Sequence, residues 1–115
     1  MNIELSKKYN LLVDTLIMAC PTIGIISDDD IGDYLEELEG DYYTFFDHIN
    51  LVDLHNAGVL NDLQMKNIVS LKQMIGNIPT SLWQIEAVKT DVYWTEVRQS
   101  ANEILNSIGI SRRKL

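Results

Sequence analysis

Between Lys8 and Lys66 the chain has no lysine and no arginine, while residues 9–65 hold twelve acids. Helical surfaces ordinarily mix the two signs, because opposite charges four residues apart stabilise a helix by about 0.2–0.5 kcal/mol and like charges cost as much. The first 65 residues carry a formal charge of −11 and the last 50 carry +3. That balance argues against nucleic acid, whose affinity depends on lysine and arginine neutralising phosphates. It argues equally against an anionic membrane surface. Cysteine is nearly missing too: Cys20 alone excludes an intramolecular disulfide. Beside Pro21 and among apolar neighbours, it reads as a small buried hydrophobe in a reducing compartment. No apolar run approaches the roughly 20 residues that span a bilayer. The opening MNIELSKKYN lacks a basic segment feeding an apolar one, so a cytoplasmic location is expected.

What is present is helical periodicity over the whole of residues 1–115, read as one domain. Leu5, Tyr9, Leu12, Val13, Leu16, Ile17 and Cys20 step by threes and fours, giving a first helix from Ile3 to Cys20 that Pro21 stops. Ser27 is a good N-cap for a second helix with Asp28, Asp29 and Asp30 in its first turn. Ile31, Tyr34, Leu35 and Leu38 face inward, and Gly40 suits the C′ terminator. Asp41 then caps a third helix carrying Tyr42, Phe45, Phe46, Ile49, Val52 and Leu54 toward Gly58, with a kink or break at Asn50 left open. Asn61 and Gln64 spell a capping box for a fourth helix, and Leu60 with Met65 a hydrophobic staple. Gly76-Asn77-Ile78-Pro79 ends it. Ser81 and Gln84 suggest a second capping box. The segment Leu82–Ile108 is either one helix or two joined near Lys89-Thr90-Asp91, with Gly109 as terminator. The expected fold is all-α, a compact antiparallel bundle of five to six helices. Arg112-Arg113-Lys114 is a short basic tail, read as a solvated end.

The chemistry-bearing patterns fail on spacing. Asp29-Asp30-Ile31-Gly32-Asp33 spells the DDxxD of magnesium-diphosphate enzymes, which need a second motif and a larger helical cavity than this chain can form. Asp28, Asp30 and Glu39 fall at positions 1, 3 and 12 of a calcium loop, but Asp33 stands where its turn requires glycine. His48 and His55 share a helix face with about 10 Å of rise between them, too far to grip one metal. Nucleophile elbows, phosphate loops and zinc-protease motifs are absent. No catalytic residue, metal site or cofactor is therefore expected, and the chain reads as a non-enzyme.

What remains is a docking surface. Asp28, Asp29, Asp30, Asp33, Glu36, Glu37, Glu39, Asp41 and Asp47 lie in one stretch with Tyr42 and Tyr43, and exposed tyrosine beside carboxylate is common at interfaces. Clustered negative charge steers a basic partner, and nucleases are basic in order to hold phosphate. The connection Leu51-Val52-Asp53-Leu54-His55-Asn56-Ala57-Gly58-Val59-Leu60 adds a further indication. So do the closing patterns Leu82-Trp83, Trp94-Thr95-Glu96-Val97-Arg98 and Ala101-Asn102-Glu103-Ile104-Leu105. Over its C-terminal two-thirds the chain resembles immunity proteins of bacterial polymorphic and contact-dependent inhibition toxin systems. The resemblance implies a non-catalytic, cytoplasmic antitoxin that neutralises one cognate toxin, often a nuclease; a monomer is the favoured state. The alternative is a helical regulatory or adaptor protein, dimeric through Tyr42, Phe45 and Phe46.

Overall fold

The first helix builds the floor on which the acidic stretch lies. The computed structural model describes residues 3–22 and 24–109; the basic tail Arg112-Arg113-Lys114 lies outside them. Helix α1 spans Ile3–Met18 and buries Leu12, Val13, Thr15 and Leu16. Its last turn tightens, with the Cys20 N–H donating to the Ile17 carbonyl at 3.1 Å. Cys20 is buried, and its thiol donates to the Leu16 carbonyl at 3.2 Å. Helix α2 spans Asp28–Phe45, α3 His48–Asn56, α4 Asp62–Gly76, α5 Ile85–Thr90 and α6 Val92–Ser107. A short 3-10 turn at Thr80–Leu82 precedes α5. Among the described residues there are six α-helices and no strand, an all-α bundle. Helices α1 and α6 pack together at its centre, with α2 and α3 against α1 and α4 and α5 against α6.

The principal departure from the sequence reading is at Gly40. The second helix does not stop there: the apolar series Ile31, Leu35, Leu38, Tyr42, Phe45 keeps its period across the glycine, and α2 runs on to Phe45. The magnitudes decide it. Two glycines, Gly32 and Gly40, cost a helix interior about 1 kcal/mol each relative to alanine. Burying Ile31 and Leu38 returns about 1.5–3 kcal/mol apiece. Ser27 adds a cap through the Asp30 N–H, 3.2 Å away. Asp41 is consequently mid-helix, and Asp47 caps α3 instead, its carboxylate accepting from the Ile49 N–H at 3.2 Å. Asn50 makes no kink; its side-chain amide donates to the Thr44 carbonyl at 2.9 Å and fastens α3 to the end of α2.

Elsewhere the local signals act as read. Gly58, at φ +78°, ends α3 with paired bonds from its own N–H to His55 and from Val59 N–H to Leu54. The Asn61–Gln64 capping box is formed, and the Gln64 amide also reaches the Ser107 carbonyl at 3.0 Å, tying α4 to the end of α6. Ser81 and Gln84 make no capping box: Gln84 donates to the Ser81 carbonyl inside the 3-10 turn. The last segment is two helices, divided at Asp91, which caps α6 through the Tyr93 N–H. Trp94, 2% exposed, anchors that junction by donating from its indole to the Leu82 carbonyl at 2.7 Å.

Candidate functional site

Helix α2 buries one stripe, Ile31 and Leu38 with Tyr34, Leu35 and Tyr42 beside them, against the rest of the bundle. At 100° per residue the remaining positions sort into a ridge and two flanks. Asp29, Asp33, Glu36 and Gly40 stand opposite the buried stripe and form the ridge. Asp30, Glu37 and Asp41 turn toward the α1 side. Asp28, Glu39 and Tyr43 turn toward α4 and α5. The eight acids of α2 thus coat the whole outward surface of one helix. Asp47 stands just past its C-terminal end.

The flank toward α4 and α5 is partly neutralised by bases that arrive from distant sequence, Glu39 keeping no ion pair among the described residues. Lys89 on α5 pairs with Asp28 at 3.2 Å. Lys72 on α4 lies 3.9 Å from the Asp47 carboxylate and 4.8 Å from the centre of the Tyr43 ring. Behind them the rings continue: Tyr42 lies 6.3 Å from Trp83, and Trp83 meets Trp94 edge-on at 5.1 Å. Two shallow grooves of 320 and 230 Å³ share Tyr42 and Gly76 here, the first bounded by Lys72 and the second by Glu39 and Trp83.

Toward α1 the arrangement inverts. A groove of 360 Å³ has Leu11, Ile17 and Met18 of α1 together with Tyr34 as its apolar lining. Asp14, Glu37 and Asp41 supply three carboxylates, and among the described residues no lysine or arginine borders it. Lys8, the cation of α1 nearest in sequence, is already bonded to Asp53 of α3 at 2.6 Å. That hydrogen bond, helped by the charges of Asp53 and Glu4, raises the Lys8 pKa above its ordinary 10.5. Arg98, behind the buried stripe, gives its guanidinium to the Val88 carbonyl and the Thr95 hydroxyl. Burial lowers its pKa, and no carboxylate pairs with it among the described residues.

Of the residues singled out in sequence, Asp28, Asp29, Asp30, Asp33, Glu36, Glu37, Glu39, Asp41, Tyr42 and Tyr43 therefore share one helix. The acids split into paired and unpaired sets. Asp28 and Asp47 have cations; Asp29, Asp30, Asp33, Glu36, Glu37, Glu39 and Asp41 have no ion pair among the described residues. The aromatics split as well. Tyr43 is 67% exposed, whereas Tyr42 and Phe45 are half-buried and Phe46 is 1% exposed within the core. Of the three residues named for a dimer face, Phe46 closes the core beneath the α2–α3 corner and offers no surface, while Tyr42 and Phe45 keep part of theirs. No three His, Cys, Asp or Glu side chains among the described residues converge as metal ligands would. His55 pairs with Asp62, and His48 is exposed in the first turn of α3.

Sequence reasoning missed Asp14, Lys72, Trp83 and Lys89. Asp14 had a readable signal: an acid with Leu11, Ile17 and Met18 three and four residues away sits at the rim of a helix's apolar face. The two lysines had none, since their partners are 25 and 61 residues distant. No protein-family model, curated protein or solved structure matches the chain. Among the described residues, no helix is long and apolar enough to cross a membrane.

Proposed function

We propose that this protein is an immunity protein. It binds a cognate bacterial toxin, a basic domain of the nuclease type, and neutralises it in the cytoplasm without catalysis, as a monomer and with no cofactor. Neither nucleic acid nor a membrane is its partner. The observation carrying the reading is the unpaired set on α2, seven carboxylates on the outer surface of one helix, beside a flank where the fold does supply cations. Like-charge neighbours at Asp29/Asp33, Asp33/Glu37 and Glu37/Asp41 each cost about 0.2–0.5 kcal/mol, a standing penalty that a basic partner removes on binding. Such a field raises association toward about 10⁸–10⁹ M⁻¹s⁻¹ at low salt, against about 10⁵–10⁶ for a neutral encounter.

The experiment is capture from the producing bacterium, identification of the bound chain, and reconstitution with that chain purified. A basic toxin domain in a 1:1 complex, silenced in trans and with an on-rate that falls steeply with salt, is the expected result. Reversal of Asp29, Asp33, Glu36 and Glu37 to lysine then slows association by at least about tenfold. Unchanged on-rate and affinity in that variant would sink the acidic-surface mechanism.

A further inference from the structure

We propose that the groove between α1 and α2 seats an arginine side chain of the basic partner, clamped by Asp14, Glu37 and Asp41. This rests on the immunity reading and names where on the acidic surface the contact is made. The molecule supplies its own template on the opposite flank. There Lys72 lies over the Tyr43 ring and beside the Asp47 carboxylate, so one cation serves an aromatic face and an acid at once. The α1 flank repeats the ingredients, Tyr34 with Glu37 and Asp41 on α2 and Asp14 across from them, without the cation. None of the described residues supplies one here, and the partner's arginine takes that place.

The chemistry of the lining selects the occupant. Leu11, Ile17 and Met18 offer an apolar bed for a three-methylene stem, which a charged side chain can bury while its head stays at the polar rim. Glu37 and Asp41 are one turn apart on α2, about 6 Å of rise, and Asp14 approaches from the other helix. A planar guanidinium with five donors can serve carboxylates on both sides and stack on a tyrosine ring; a compact, strongly hydrated ammonium serves fewer of them and resists leaving water. A 360 Å³ depression is also open enough for a side chain delivered on a partner's backbone.

The test uses the full chain, ¹⁵N-labelled, titrated at low salt with acetyl-Gly-Arg-Gly-amide and, separately, its lysine counterpart. The expected result is saturable amide shifts centred on Leu11, Asp14, Tyr34, Glu37 and Asp41, with the arginine peptide binding more tightly. The D14N/D41N double variant, both positions at the surface, weakens the apparent Kd by about fivefold, while D33N/E36Q on the ridge changes it less than about twofold. Shifts spread evenly over α2, equal binding of the lysine peptide, or an unaltered D14N/D41N titration would each overturn the proposal. The peptide needs no toxin, so the two readings fail separately. Groove binding without any toxin partner rejects only the immunity function. A neutralised toxin that is indifferent to D14N/D41N rejects only the groove.

Discussion

On its α4 and α5 side, α2 meets Lys72, Lys89 and a file of aromatic rings; on its α1 side it meets Asp14 and, among the described residues, no cation. The first flank is partly satisfied within the fold: Asp28 and Asp47 have lysines and Tyr42 packs on Trp83, while Glu39 has no ion pair among the described residues and Tyr43 is exposed. The second has the same kinds of side chain left over. Composition alone cannot separate the two, because both are rich in carboxylate and tyrosine. What separates them is where the neighbouring helices hold their bases: Lys8 of α1 pairs with α3, and Lys7, exposed two turns before Asp14, does not line the groove.

The largest expected effect tests whether the aromatic flank is structural. Trp83→Ala removes the ring between Tyr42 and Trp94 and is expected to cost about 2–4 kcal/mol, against about 1 kcal/mol for Leu11→Ala on the other flank. Urea midpoints of the two variants decide it, and equal losses would erase the distinction. Next comes the helix itself. Gly40 lies on the ridge with open space where a Cβ would stand, so Gly40→Ala should stabilise by about 0.5–1 kcal/mol, read as a higher thermal midpoint.

Charge removal should then change sign between the flanks. Asp28→Asn loses the pair with Lys89 and costs up to about 1 kcal/mol, whereas Asp41→Asn relieves repulsion and gains about 0.2–0.5 kcal/mol. Both effects fade in molar salt, and two shifts of one sign at low salt would refute the pairing scheme. The smallest effect is at Lys8. Because its folded pKa is raised, its contribution is fully present below the ordinary value of 10.5 and is lost as pH rises through the higher folded one. The stability difference between the native chain and Lys8→Met should therefore be flat up to about pH 10 and shrink above it, in denaturant titrations at stepped pH.

Much of the fold was legible because it is written in local chemistry. Asn61 with Gln64, Ser27 before three aspartates, and Gly58 after Asn56 each act within four residues, so their geometry follows from sequence alone. Gly40 misled for the converse reason. A glycine's local preference is worth about 1 kcal/mol, and the core contacts of Leu38 and Tyr42 on either side outweigh it. The acidic surface was legible as a set of residues but not as a pattern of partners. Lys89 reaches back to Asp28 across the bundle, and Asp14 comes to face Glu37 only because α1 and α2 pack side by side. Pairing of that kind belongs to tertiary structure.

The edge-on stack of Trp83 and Trp94 has an optical consequence. These are the chain's only tryptophans: half-buried Trp83 lies against Tyr42 on the α4 and α5 side of α2, and buried Trp94 beyond it borders a cavity that Met18 and Tyr34 of the α1 groove also line. Intrinsic emission of the unlabelled protein thus has one indole near the surface of one flank and one buried between the two. A partner seated over Tyr42 and Trp83 changes the polarity around an indole and moves the spectrum. A partner held in the α1 groove meets Met18 and Tyr34, neighbours of buried Trp94 but not of Trp83, so the smaller spectral change expected there distinguishes the two docking geometries without a dye.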